Sequence, residues 1–136
     1  MPFVLDASTA ACWALRDEES PIATEALNRI VDDGALVPAV WWFELRNTLV
    51  VAERRSRMTA LDTASFLKGI RRFEISIDRD PDEDSILVLA RRHRLTVYDA
   101  AYLELAIREN VSISTLDAAL ARAARAEGIR IIGGAA

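Results

Sequence analysis

The sequence predicts an α/β fold in three layers, α/β/α, around a central and mainly parallel sheet. Two observations lead there. Short apolar runs alternate with amphipathic stretches of helical period along the whole chain, the pattern of a parallel sheet covered on both faces. Three of those runs are followed closely by an aspartate and then by a helix. No linker, repeat or low-complexity segment interrupts the 136 residues. Residues 1–136 are therefore expected to form a single domain with one core.

In chain order, Phe3-Val4-Leu5 is a short apolar strand, and the Ala-rich stretch over 8–16 is a helix. A second helix spans 22–31 and stops at Asp32-Asp33-Gly34, with Gly34 as its C-terminal residue. Leu36-Val37 is a brief strand closed by Pro38; a helix over 41–57 follows, and Thr59 caps another that runs to about Arg72. Residues 73–77 alternate apolar and polar, as a strand does. Asp80-Pro81 is expected to open a helix as cap and first-turn proline, reaching Arg92. Leu95-Thr96-Val97 is predicted as a strand, 99–108 as a helix and 111–114 as a strand. A helix over 117–126, stopped by Gly128, and a last strand over 129–132 complete the chain.

Composition narrows the class. With 51% hydrophobic and 28% charged residues, the chain reads as globular. No apolar run approaches the roughly 20 residues of a membrane span, and the acid at position 6 does not suit a signal peptide. The lone cysteine, Cys12, has no partner for an internal disulfide and sits among apolar neighbours as a small core residue; a reducing cytoplasm is the expected compartment. The net charge of −4 is a poor match to nucleic acid. Arginines cluster at 54, 55 and 57, at 71 and 72, and at 91, 92 and 94, as solvated helix ends do. His93 alone makes neither a triad nor a metal cluster. Asp80, Asp82, Glu83 and Asp84 suit a helix N-terminus. Trp13, Trp41 and Trp42 are core or interface aromatics.

The chemistry is expected where strand, aspartate and helix recur: at Asp6, at Asp99 and at Asp117. Residues just past the strand ends of an open parallel sheet line its ligand crevice. Each aspartate alone could be a helix cap. All three as neighbouring caps would crowd like charges, and two carboxylates about 5 Å apart repel by roughly 3 kcal/mol at an effective dielectric near 20. A divalent cation with hard oxygen ligands relieves that repulsion. Glu44 is a fourth candidate. At helical spacing it shares a largely apolar face with Trp41, Asn47, Thr48 and Val51. Whether it is held inside or solvated beside an arginine stays open, as does whether Asn47 orients it.

These segments together resemble the PIN domain family: a hydrophobic strand ending in Asp6-Ala7-Ser8; Pro38 with Glu44 and Asn47 on the next helix; Tyr98-Asp99-Ala100-Ala101-Tyr102 with Leu105-Ala106; and Thr115-Leu116-Asp117-Ala118-Ala119-Leu120 with Ala123-Ala124 and Gly128. They occur in the family's order and span nearly the whole chain. The resemblance implies a PIN-like fold and an acidic quartet, Asp6, Glu44, Asp99 and Asp117, holding Mg²⁺ or Mn²⁺, with Ser8 and Thr115 (and Asn47 if it orients Glu44) as polar neighbours. It implies a metal-dependent endoribonuclease leaving 5′-phosphate and 3′-hydroxyl ends, of the VapC type. Such a protein is the toxin of a VapBC-type toxin–antitoxin pair, a homodimer inhibited by a small VapB-like antitoxin.

Two rivals fit poorly. A phosphoacceptor receiver domain needs an acidic pair after the first strand and a late lysine, whereas Asp6 stands alone and Lys68 is central. A haloacid-dehalogenase-type phosphatase needs Asp-x-Asp, and position 8 is serine. A third alternative keeps the PIN fold as a catalytically inactive scaffold or partner-binding domain.

Overall fold

A computed structural model describes residues 1–15 and 19–134. Its strands are β1 (Phe3–Leu5), β2 (Ala35–Pro38), β3 (Ile75–Asp78) and β4 (Ile113–Ser114). They pair in the order β3-β2-β1-β4, every pairing parallel. Ile131 adds one isolated parallel bridge to Ile113, where a full last strand was expected. The helices are α1 (Ala7–Ala14), α2 (Pro21–Asp33), α3 (Val40–Arg54), α4 (Ala60–Ile70), α5 (Glu83–His93), α6 (Val97–Glu109) and α7 (Ala118–Ala126). The expected end of the first helix at Arg16 lies outside the described residues.

The strand order dictates the layers. From β1 to β2 to β3 the chain steps one way across the sheet; from β3 to β4 it crosses back to the far side of β1. Crossovers between parallel strands are right-handed, so the two directions put their helices on opposite faces. Accordingly α1 packs on α2 and α3, and α3 on α4, while α6 lies on the sheet with α5 and α7 against it. Phe3, Val4, Leu5, Leu45, Leu49, Tyr102, Leu103 and Ile113 are almost wholly enclosed and belong to one continuous core. Among the described residues no helix is long and apolar enough to cross a membrane.

Most element ends follow local chemistry. Gly34 ends α2 at φ +72° and ψ −178°, a conformation open almost only to glycine. A Cβ there would stand 2.8 Å from the Glu74 carbonyl oxygen. Thr59 and Asp62 form a reciprocal capping box on α4. Cys12 is buried, as is Trp41, while Trp42 is 43% exposed with the Arg46 guanidinium 3.8 Å over its ring. His93 and Arg92 meet Glu127 at 2.6 and 2.8 Å, tying the ends of α5 and α7 together.

Three expectations are corrected. Leu95-Thr96-Val97 is not a strand: Arg94 closes α5 in the left-handed region, and Thr96 caps α6, its hydroxyl accepting from the Asp99 amide at 3.0 Å. A threonine one turn before a carboxylate outweighs a short β-branched run when no strand neighbour waits to pair with it. Helix α5 begins at Glu83, capped by Asp82 rather than Asp80, so Pro81 precedes the helix. Helix α3 ends at Arg54 rather than 57.

Candidate active site

The sheet's direction of progress reverses at β1, so its switch point lies between the carboxyl ends of β1 and β4, where open α/β sheets form their ligand crevices. Leu5 pairs with Ser114, and the Asp6 amide donates to the Ser114 carbonyl at 3.0 Å. This register sets Asp6 beside the chain that leads to Asp117.

Asp6 occupies the N-cap position of α1 yet makes no side-chain capping bond. Its Oδ2 instead accepts from the Ser8 hydroxyl at 2.6 Å and from the Thr115 hydroxyl at 2.7 Å, and the residue is only 5% exposed. Both hydroxyls are held in turn. Ser8 Oγ accepts from the Leu116 amide and Thr115 Oγ1 from the Asp117 amide, each at 3.0 Å. Asp117 does cap α7, its Oδ1 accepting from the Leu120 amide at 2.9 Å. One aspartate of the pair thus serves its helix; the other is freed from that duty and held by two side-chain hydroxyls.

Glu44 and Asp99 arrive from helices. Glu44 is half-buried on α3, and its Oε1 accepts from the Tyr102 hydroxyl of α6 at 2.6 Å. Its partner is therefore a phenol rather than an arginine, while Asn47, one turn on, is exposed and makes no hydrogen bond among the described residues. Asp99 sits half-buried in the first turn of α6, which Thr96 caps, so its carboxylate is not needed at the helix end.

The electrostatics tie the group together. Burial pushes Asp6 above the usual carboxylate range, against its two hydroxyl donors and with help from the Asp117 charge. Asp99 is raised by burial and by the charges of Asp117 and Asp6. Glu44 is raised by burial and by Asp6 and Asp99, against the Tyr102 bond. Among the described residues no basic side chain pairs with any of the four. Nor do any three ligand-type side chains form a ready-made metal cage among those residues; the rim is an electrostatically coupled set of acids lacking a positive partner. An all-oxygen donor set of this kind suits a hard divalent cation.

Sequence reasoning missed Tyr102 as a site residue. Its phenol is buried and kept protonated by burial and by the neighbouring Asp6 and Glu44 charges. The available signal was a tyrosine hydroxyl on the inward face of an otherwise apolar helix, which must find an acceptor. Buried Glu104 also went unremarked: Arg108 binds it at 2.6 Å and reaches both oxygens of Asp78 at 2.8 and 3.1 Å, joining α6 to β3.

The PIN domain profile matches residues 3–126. The solved structure of PAE2754 from Pyrobaculum aerophilum is similar at a TM-score of 0.74 and 20% identity, over 97% of this chain and 90% of that one. FitAcB from Neisseria gonorrhoeae is similar at a TM-score of 0.56 and 17% identity, over 96% of each chain. At these identities the likeness speaks to fold. No curated protein sequence matches the chain.

Proposed function

The chain belongs to the PIN domain family, and from that premise we propose that it is a metal-dependent endoribonuclease, the toxin of a type II VapBC-type toxin–antitoxin pair. PIN domains are generally nucleases. The observation that carries the reading is a set of four carboxylates that pair with no basic side chain among the described residues, three of them raised by burial and by charges of the set.

In this reading Asp6, Glu44, Asp99 and Asp117 hold Mg²⁺ or Mn²⁺. The bound cation supplies neutralisation of phosphate charge and a water acidified toward hydroxide at neutral pH. The chain's own groups prepare the place. Ser8 and Thr115 fix the Asp6 carboxylate through Oδ2, and Tyr102 fixes Glu44 while staying protonated. Each second partner of those hydroxyls is a backbone amide of the 115–117 turn, so the turn that delivers Asp117 also aligns Asp6. Without a cation the acidic rim repels an RNA phosphate, so metal binding and substrate binding are coupled.

The biological part of the proposal is a cytoplasmic homodimer held inactive by a VapB-like antitoxin. It is supported by apolar surface on α3 and α4, where Phe43 is 68% and Leu61 76% exposed. A basic side chain of the antitoxin would supply the positive group that the four acids lack among the described residues.

The test is cleavage of labelled single-stranded RNA by EDTA-treated protein. Added Mg²⁺ or Mn²⁺ restores cleavage, with 5′-phosphate and 3′-hydroxyl ends. No cleavage at any metal concentration contradicts the proposal and leaves a non-cleaving scaffold, the alternative that the absence of a ready-made cage among the described residues favours.

A further inference from the structure

Beside the acidic rim lies a second feature of different chemistry. A cavity of about 470 Å³ opens between the first turns of α3 and α6, the end of β3 and the approach to α5, walled by Val40, Ile77, Pro81, Val97 and Tyr98, with Arg79 at its side. Its volume is that of a small-ligand site. The Tyr98 ring is 60% exposed and Val97 50%. Arg79 is exposed and makes no hydrogen bond or ion pair among the described residues. The adjacent acid, Asp78, pairs with Arg108, which it shares with Glu104, so among the described residues the Arg79 guanidinium stays unpaired beside the cavity.

Two helices connect the cavity to the rim. On α3, Val40 lies one turn before Glu44; on α6, Tyr98 lies one turn before Tyr102. Residues four apart share a helix face and are separated by about 6 Å of rise. Since Glu44 and Tyr102 are bonded to each other at 2.6 Å, both walls of the cavity run into the same carboxylate–phenol contact. An apolar slot with an exposed aromatic face and an arginine unpaired among the described residues, a helical turn from the proposed phosphodiester chemistry, matches a nucleotide flanking the scissile bond. Bases of single-stranded RNA stack on such rings, and arginine takes the phosphate.

We propose that this cavity is a nucleobase subsite, in which one unpaired base next to the scissile phosphate stacks on Tyr98 while Arg79 contacts the adjoining backbone. The subsite rests on the ribonuclease reading above and would give the enzyme a preference among single-stranded sequences.

Binding is measured by fluorescence anisotropy with a labelled single-stranded heptaribonucleotide in an Asp6→Asn background, which removes one rim charge and, on the reading above, cleavage. Strands with a single abasic ribose at each position in turn are compared with the intact strand. Tyr98→Ala should weaken the intact strand roughly tenfold. It should leave unchanged the strand whose abasic site falls at the subsite, because that strand has already lost the contact. Tyr98→Phe should keep the intact-strand affinity, and Arg79→Ala should weaken intact and abasic strands alike with a shallower salt dependence. Equal loss for intact and all abasic strands on Tyr98→Ala would overturn the subsite. Unchanged RNA affinity in Tyr98→Ala would overturn it too and leave the cavity to a peptide. Because binding is read without turnover, the subsite can fail while metal-dependent cleavage stands, and cleavage can fail while base-dependent binding stands.

Discussion

Asp6 shows how a single residue departs from its ordinary use. An aspartate before a helix normally caps it, but here the hydroxyls of Ser8 and Thr115 hold the carboxylate away from the helix end. Thr115→Val keeps the shape and removes the hydroxyl that serves both Asp6 and the Asp117 amide. Metal affinity or cleavage should fall by roughly 10–100-fold, as for other groups that orient metal ligands; titration calorimetry with Mn²⁺ checks it. The raised carboxylates also predict a pH dependence. Asp6, Glu44 and Asp99 hold their protons more tightly folded than unfolded, so in EDTA the stability they contribute declines as pH rises from about 4 through their folded values. Asp78, Asp82 and Glu127 are lowered by hydrogen bonds to Arg108, Ser85 and Arg92 respectively; their contribution is lost only as pH falls below the ordinary carboxylate range. Thermal melts in EDTA should therefore be most stable in mild acid, and excess Mn²⁺ should abolish the decline toward neutral pH. Asp6→Asn should raise the melting temperature of the EDTA-treated protein by removing one of the repelling charges; a lower melting point would count against repulsion as the dominant local effect.

At the scale of elements, the backbone signals divide into those a short window carries and those it does not. Gly34 was legible because its stop follows from local conformation; Gly34→Ala should cost about 1–3 kcal/mol through the left-handed backbone alone, with the Glu74 carbonyl contact adding to it. Equilibrium urea unfolding measures it. Thr59 was legible for the same reason, its cap being three residues from its partner. Residues 95–97 were not, because whether a β-branched triplet pairs or caps depends on a neighbouring strand that no local window contains. Thr96→Ala should cost about 1 kcal/mol as a lost cap, an effect that a strand residue facing solvent would not give. The site divides the same way. The aspartates at 6 and 117 follow strands, and their place at the sheet edge was readable from that. Asp99 was singled out on a strand that does not exist, yet its position in the first turn of α6 brings it under the charges of Asp6 and Asp117. For Tyr102 a local window shows only that its hydroxyl needs an acceptor; which acceptor was not legible, because Glu44 is 58 residues away.

For the whole molecule, the reversal of strand order at β1 is what makes a site out of separate residues. It puts β1 and β4 side by side with their carboxyl ends aligned, while right-handed crossings in opposite directions bring α3 and α6 over that end from two faces. The apolar residues left outside, Phe43 and Leu61 among them, predict association. Light scattering at micromolar concentration should give a dimer, and Phe43→Asp should shift it to monomer. A strict monomer in the unaltered protein would remove the dimer from the account. The central claim, that four carboxylates from two strand ends and two helices make one cation site, is tested most directly by Mn²⁺ binding followed by electron paramagnetic resonance. The unaltered protein is compared with Asp6→Asn, Glu44→Gln, Asp99→Asn and Asp117→Asn. All four amides should bind Mn²⁺ more weakly than the unaltered protein, with the fold intact by circular dichroism; affinity unchanged across the four would contradict it.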